Sequence, residues 1–352
     1  MRRHPTQADV AARAGVSRAL VSMALSGRPE VAESTRELIL RASRDIGYLV
    51  NAPAANLARR RTKLLGIVLQ DMSNPFFCEV AAHVQDAAAA AGLTTLLNDG
   101  RRDAAREASA VETFLQLRVD GLIIVSPLQD ATALAAIGRQ VATVVVGHPV
   151  PSPSVDFVHV DSVSGARRAT EHLLALGHQD IAYLDVPVVV SEPLMLRRRA
   201  GYRAAMELAG FGARMSVVPD VTEDGDAAAR VLAFEYRPTA LLAHNDVTAI
   251  AAMGLLARAG IRVPDEMSIV GYDNTRLAAM PQFDLTTVDQ ASERTGREAF
   301  DLLSERRGGR DESRTVRLDP DLVVRGSTAV APGVVRRCPA DRTHLVPRTI
   351  GR

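Results

Sequence analysis

Pro-Thr-Gln-Ala-Asp-Val-Ala-Ala-Arg-Ala-Gly-Val-Ser-Arg-Ala-Leu-Val-Ser, residues 5–22, opens a compact basic segment running to residue 63. Thr6 to Ala14 reads as a short helix with Val10, Ala11 and Ala14 as its apolar positions. Gly15 can turn the chain at low steric cost. Ser17 is placed to cap a second helix reaching about Ser26, its hydroxyl accepting from an early backbone N–H. In that helix Leu20, Val21, Ala24 and Leu25 form the buried stripe. Arg18, Ala19, Ser22 and Met23 face outward, because positions three and four apart share a face. Two short helices joined by a Gly-containing turn make a helix-turn-helix, whose second helix lies in the DNA major groove. The competing reading is an ordinary helical hairpin with a solvated Arg18.

Residues 34–46 read as a third helix, with Ser34 and Glu37 spaced as a capping box and Leu38, Ile39, Ala42 and Ile46 on one face. After Gly47-Tyr48 come residues 51–63, Asn-Ala-Pro-Ala-Ala-Asn-Leu-Ala-Arg-Arg-Arg-Thr-Lys. Pro53 suits a first helical turn, yet a helix of about eight residues is too short to persist alone in water.

Asp9 to Ser17, Thr35-Arg36, Gly47-Tyr48, Asn51 and Leu57-Ala58 together resemble the headpiece of the LacI/GalR family of transcription regulators. The remainder resembles the core of the same family. The motifs are Asp71-Met-Ser-Asn-Pro-Phe-Phe, Val119-Asp-Gly-Leu-Ile123, Leu176-Gly-His178, Arg198-Arg-Ala-Gly-Tyr202, Asn245-Asp246, Ser268-Ile-Val-Gly-Tyr-Asp273, Leu285 to Gln290 and Leu322 to Thr328. The resemblance covers about residues 6–329.

At 352 residues the chain can hold two or three domains with sizeable cores. Its net charge of +1 conceals a segregation. Residues 1–63 carry 12 Lys+Arg against 5 Asp+Glu, and the rest carries 30 against 36. A basic first segment on an acidic body suits a nucleic-acid contact, since cations neutralise phosphates while the body repels DNA. Lys63 is the only lysine and carries no functional message. Cys78 and Cys338 offer no disulfide framework. No His-x-Glu or His-Glu-x-x-His pairing occurs among the 8 histidines, so neither a metal site nor a cofactor is expected. With no apolar leader segment and no stretch approaching a membrane span, a cytoplasmic location is expected.

From Leu64 the pattern changes to strands alternating with helices. Strands are expected at 64–69, 94–97, 121–125, 143–146, 181–184, 216–218, 240–243 and 268–270. Helices are expected at 76–91, 104–117, 164–176, 196–209, 227–234 and 246–259. Such alternation argues for parallel sheets with helices on both faces, and two rounds of it for two lobes. The expected fold is a small all-α helix-turn-helix headpiece followed by an α/β two-lobed, periplasmic-binding-protein-like core of doubly wound parallel sheets. The resemblance implies a DNA-binding domain at 1–49, a hinge helix and linker at 50–63, and an effector-binding and dimerisation core at 64–330. Lobe 1 would take about 64–162 and 292–320, and lobe 2 about 163–291 and 321–330. Residues 331–352, rich in Pro and Arg with little apolar periodicity, read as a disordered tail.

The candidate DNA-binding residues are Thr6, Ser17, Arg18, Ala19, Ser22, Met23, Asn51, Ala54, Leu57, Arg59, Arg60 and Arg61. Arg18 can present a fork to guanine O6 and N7 or hold a phosphate. Ser17 can donate to DNA or serve only as a cap. Leu57 could pack within its own helix. The resemblance instead implies that two hinge helices pair in the minor groove, where Leu57 wedges into a base step and Arg59 to Arg61 follow the phosphates. A homodimer on an approximately palindromic double-stranded site follows, with a tetramer left open.

Ligands in such folds sit at the carboxyl ends of strands. The candidate effector residues are Asn74, Phe76, Phe77, His148, Arg198, Asn245, Asp246, Asp273 and Gln290. Arg198 with Asp273 combines a donor fork with an acceptor, which suits a sugar-like ligand. A structural ion pair for Arg198 and a helix N-cap for Asp246 are the alternatives. Leu242 stands where a purine-binding member would want an aromatic, and His244 lies near the cleft, where surface solvation is the ordinary outcome. The reading is a sequence-specific transcription regulator, a repressor controlled by a small polar effector. A regulator without effector control and a cytoplasmic ligand sensor are the alternatives. An enzyme is not expected, because a nucleophile elbow, a phosphate loop and a metal cluster are all missing.

Overall fold

Helices α1 (Gln7–Ala14), α2 (Arg18–Leu25) and α3 (Glu33–Asp45) form the N-terminal unit. They close around Val10, Val21, Val31 and Ile39. In the computed structural model, residues 5–26, 28–48, 62–149, 152–185, 192–218 and 237–333 are described. A capping box starts α1: Thr6 Oγ1 accepts from Asp9 N, and Thr6 N donates to the Asp9 carboxylate at 2.7 Å. Gly15 closes the helix with φ at +67°, a left-handed position that glycine takes without a Cβ clash. Ser17 Oγ accepts from Leu20 N at 3.2 Å, as predicted.

Two expectations for α3 fail. The helix begins at Glu33 behind Ala32, and no side chain caps it, so Ser34 lies inside the first turn rather than at its cap. Leu38 is 47% exposed, because the buried stripe turns through Ile39 and Ala42. Arg36 instead ties α3 to the end of α2, donating from Nη1 to Ala24 O and from Nη2 to Arg28 O, both at 2.7 Å.

The second unit contains two six-stranded sheets. Lobe 1 holds β1 (Leu64–Leu69), β2 (Thr94–Asp99), β3 (Gly121–Val125), β4 (Thr143–Val146), β5 (Asp156–Val160) and β11 (Thr315–Leu318), in the order β11-β5-β4-β3-β1-β2. Its helices are α4 (Pro75–Ala90), α5 (Ala104–Gln116), α6 (Ala131–Gly138) and α10 (Ser292–Arg307). Lobe 2 holds β6 (Ile181–Leu184), β7 (Ser216–Val218), β8 (Ala240–Ala243), β9 (Ser268–Asp273), β10 (Thr286–Asp289) and β12 (Asp321–Val323), in the order β12-β10-β9-β8-β6-β7. Its helices are α7 (Ser162–Ala175), α8 (Glu192–Leu208) and α9 (Asp246–Arg258). β12 runs antiparallel to β10, whereas β10, β9, β8, β6 and β7 run parallel to one another.

Strands such as β1 and β3 are continuous apolar runs, as parallel strands covered on both faces must be. Phe76, Val80 and Val84 of α4 meet Ala299 and Leu303 of α10 over the first sheet. Gly201 lets α8 close on α7, since a Cβ there would collide with the Val163 carbonyl. Asp156, fully buried at the start of β5, holds Arg306 of α10 at 2.8 Å and Arg310 at 2.6 Å, which anchors the returning chain to lobe 1. Helix α6 and strands β5, β10, β11 and β12 were not anticipated. The last two are partly exposed, so neither reads as the continuous apolar run that marks the buried strands. The helix expected at 227–234 and the tail from 334 lie outside the described residues. No helix among the described residues is long and apolar enough to cross a membrane.

Candidate functional site

On α2, Val21 and Ala24 are buried, while Arg18, Ala19, Ser22 and Met23 are exposed together. Thr6 and Ser17 are exposed too, although each hydroxyl already accepts a capping bond. The helix thus presents one guanidinium fork, one hydroxyl and two apolar side chains on a single outward face. Asn51, Ala54, Leu57, Arg59, Arg60 and Arg61 lie outside the described residues.

The second candidate site is a cleft of about 830 Å³, open to solvent, lined from both sheets. The chain reaches it at the ends of several parallel strands. Gln70 follows β1, Ser126 follows β3, Gly147 follows β4, His244 and Asn245 follow β8, and Gln290 follows β10. Backbone strain gathers at the same ends. Arg101, Arg102, Ser126, Asp273, Asn274 and Ala291 all have φ between +49° and +130°, and non-glycine residues persist there only when their surroundings hold them.

Arg198 is the hub. Its guanidinium carbon lies 3.8 Å from the centre of the Tyr272 ring, Nη1 donates to His244 O, and Nη2 stands 3.7 Å from Asp273 Oδ1. Asp273 also accepts from Gln290 Nε2 and, across the cleft, from Asn74 Nδ2 at 3.3 Å. Asn74 is doubly used, because its Oδ1 caps α4 by accepting from Phe76 N at 3.0 Å. Burial pushes the Asp273 carboxyl above the ordinary carboxylate range. Arg198 opposes that shift and the nearby Asp246 carboxylate adds to it.

Asn74, Phe76, Phe77, Arg198, Asn245, Asp273 and Gln290 therefore converge on one cleft. Phe76 and Phe77 sit edge to face, with ring centres 5.8 Å apart. His148 and Asp246 are not among the lining residues. His148 Nδ1 instead meets Arg197 Nη1 at 3.1 Å, and burial followed by the Arg197 charge holds its pKa below the usual histidine value. Asp246 is fully buried and accepts from Thr275 N at 2.8 Å, from Thr275 Oγ1 at 2.9 Å and from Thr287 Oγ1. It is not the N-cap of α9 either. Asn245 is, accepting from Thr248 N at 2.8 Å.

Leu242 is fully buried in the core of lobe 2 and is not among the residues lining the cleft. His244 is buried rather than solvated. Its Nδ1 bonds Tyr183 Oη at 3.1 Å, and burial with the Arg198 and Arg102 charges holds the ring neutral. Gln70, Arg102, Ser126, His159, Ser162 and Thr295 also line the cleft and were missed. The signal for Gln70 and Ser126 was available, since both directly follow predicted strands. Arg102 is held by its Nε–Asp71 Oδ2 contact at 2.6 Å, which no local pattern announces.

Two family models match the chain. That described as bacterial regulatory proteins, lacI family, matches residues 6–51. That described as a periplasmic binding protein-like domain matches residues 170–328. The HTH-type transcriptional regulator DegA of Bacillus subtilis is 33% identical over 331 residues, covering 91% of this chain and 97% of that protein. The HTH-type transcriptional repressor PurR of Photobacterium profundum is 32% identical, over 91% of this chain and 97% of its own length. Among solved structures, the lac repressor dimer bound to operator and the anti-inducer ONPF superposes with a TM-score of 0.78 at 27% identity, covering 93% of this chain and all of that one. The transcriptional regulator CelR in complex with cellobiose gives a TM-score of 0.66 at 31% identity, over 92% of this chain and all of its own.

Proposed function

This chain belongs to the lacI family of bacterial regulatory proteins, and on that premise we propose that it represses transcription from a specific DNA site and releases or tightens its hold when a small polar effector enters the core cleft. The observation that carries the reading is the Arg198–Asp273–Asn74 chain, which joins the two lobes through polar groups at the place where a ligand would sit. A ligand inserted there changes the balance between two lobe arrangements. Moving that balance from 99:1 to 1:99 takes about 5.5 kcal/mol of differential affinity.

On the DNA side, α2 enters the major groove with Arg18, Ala19, Ser22 and Met23 facing base edges, and Thr6 and Ser17 near the phosphates. Asn51, Ala54, Leu57 and Arg59 to Arg61 supply further DNA contacts, to the minor groove and the phosphates. Two headpieces then read an approximately palindromic operator as a homodimer in the cytoplasm. The effector is sugar-like. The cleft offers two guanidinium groups, one carboxylate and four side-chain amides, and the similar regulator CelR is complexed with cellobiose.

The test is selection of bound duplexes from random sequence by the full-length protein, repeated with a panel of sugars. One enriched palindrome whose recovery changes with a sugar supports the reading. Recovery of random sequence alone, with and without sugars, overturns it.

A further inference from the structure

Among the described residues lining the cleft, Arg102 enters from lobe 1 and Arg198 from lobe 2, while Asp273 is the one carboxylate. Hydrogen-bonding capacity is uneven in the same direction. Asp273 already receives Asn74, Gln290 and the Arg198 edge. The Oδ1 atoms of Asn74 and Asn245 accept backbone N–H groups at helix starts. The acceptors of Asn74, Asn245 and Asp273 are thus already engaged within the protein. Donors remain: Gln70 Nε2 and Arg198 Nε are buried and have no hydrogen-bond partner, and Arg102 commits its Nε to Asp71.

The backbone shows that Arg102 is placed rather than left to swing. Arg101 and Arg102 occupy the left-handed region in succession, with φ of +51° and +56°. The turn is closed by Arg102 N donating to Gln70 O at 2.8 Å and by Arg101 N donating to Asp99 Oδ1 at 3.0 Å. A pair of adjacent non-glycine residues in that region is uncommon and marks functional sites. Arg102, Arg198 and His244 all line this one cleft.

We propose that the effector carries an anionic group, the carboxylate of a sugar acid or the phosphate of a sugar phosphate, held between Arg102 of lobe 1 and Arg198 of lobe 2. The inference rests on the cleft being the effector site and adds the ligand's charge and a residue, Arg102, that selects it. A planar guanidinium fork suits carboxylate and phosphate oxygens, and such charge-assisted bonds are roughly twice as strong as neutral ones. Because the two cations come from different lobes, one bound anion draws them together and favours the closed arrangement.

The experiment is titration calorimetry of the full-length protein with matched sets: D-glucose, D-gluconate and D-glucose 6-phosphate; D-ribose and D-ribose 5-phosphate. Affinity for the selected operator is measured in parallel. In the expected result an anionic member binds at least tenfold tighter than its neutral counterpart. That ratio collapses in Arg102→Gln and is largely kept in Arg102→Lys. Tighter binding by gluconate or by the phosphates identifies which source supplies the charge. The inference is overturned if neutral sugars bind as well as their anionic partners, if the preference survives Arg102→Gln, or if no member binds. A neutral sugar that binds and alters operator affinity removes the anion but leaves the regulatory reading standing. An anion that binds through Arg102 with operator affinity unchanged does the opposite.

Discussion

Asn74 and Asp273 stand 199 positions apart in the chain, yet Nδ2 of the first donates to Oδ2 of the second at 3.3 Å. Each belongs to a different sheet's helix start or strand end, so this contact exists only when the lobes are closed on one another. Asn74→Asp keeps an oxygen to cap α4 but sets a second carboxylate against Asp273. The variant is expected to keep its thermal stability to within a few degrees, to expand measurably in small-angle scattering, and to bind effector about tenfold more weakly, about 1.4 kcal/mol. An unchanged scattering profile with unchanged affinity would show that the contact does not govern closure.

Asp246 and Asp273 are both held above their ordinary value of 3.8, first by burial. The folded chain then binds their protons more tightly than the unfolded chain. Their contribution to stability is fully present below pH 3.8 and is lost as pH rises through the higher folded values. Lowered histidines such as His172 and His178 act in the reverse sense, favouring the folded state above their usual pKa. A wild-type profile mixes the two, so the readout is a difference. The stability of Asp246→Asn relative to wild type is expected to improve in denaturant titrations as pH rises from the ordinary value of 3.8 through the folded value of about 6, and to level off above it. A flat difference across that range would contradict the argument.

Arg36 holds the headpiece together through charge-assisted bonds to the Ala24 and Arg28 carbonyls. Arg36→Ala leaves both carbonyls to water and is expected to cost about 1.5–3 kcal/mol of headpiece stability. Lysine lacks the fork needed for two acceptors and should rescue only part of that loss. Circular dichroism in urea on the full-length chain checks both.

Arg18 on the exposed face of α2 distinguishes base reading from phosphate holding. If it forks onto guanine, Arg18→Ala relaxes selectivity at one operator position by about 1–3 kcal/mol. If it holds a phosphate, binding weakens almost uniformly and the salt slope falls by about one. Binding to single-base operator variants at several salt concentrations separates the two, and the first outcome is expected.

Leu57→Ala is expected to weaken operator binding far more than binding to random duplex, because a wedge contributes only where the DNA is kinked around it. Equal losses on both duplexes would speak for ordinary packing.

What the amino-acid order determined by itself was local. Gly15 at a left-handed turn, Ser17 at a cap and the outward set Arg18, Ala19, Ser22 and Met23 depend on neighbours within about one helical turn. The runs of β1, β3, β4 and β8 were equally legible, because a strand buried on both faces must be continuously apolar. Family motifs also pointed to Asn74, Arg198 and Asp273 before any geometry was available. The tertiary structure decided everything that depends on partners remote in the chain. It exposed Leu38, turned Asp246 away from the cleft toward Thr275 and Thr287, and buried His244 against Tyr183. It also brought Arg102 and Gln70 to the cleft. The physical reason is that a side chain's charge state and accessibility follow from what packs around it, and that packing exists only once two separate sheets have closed over their shared crossings.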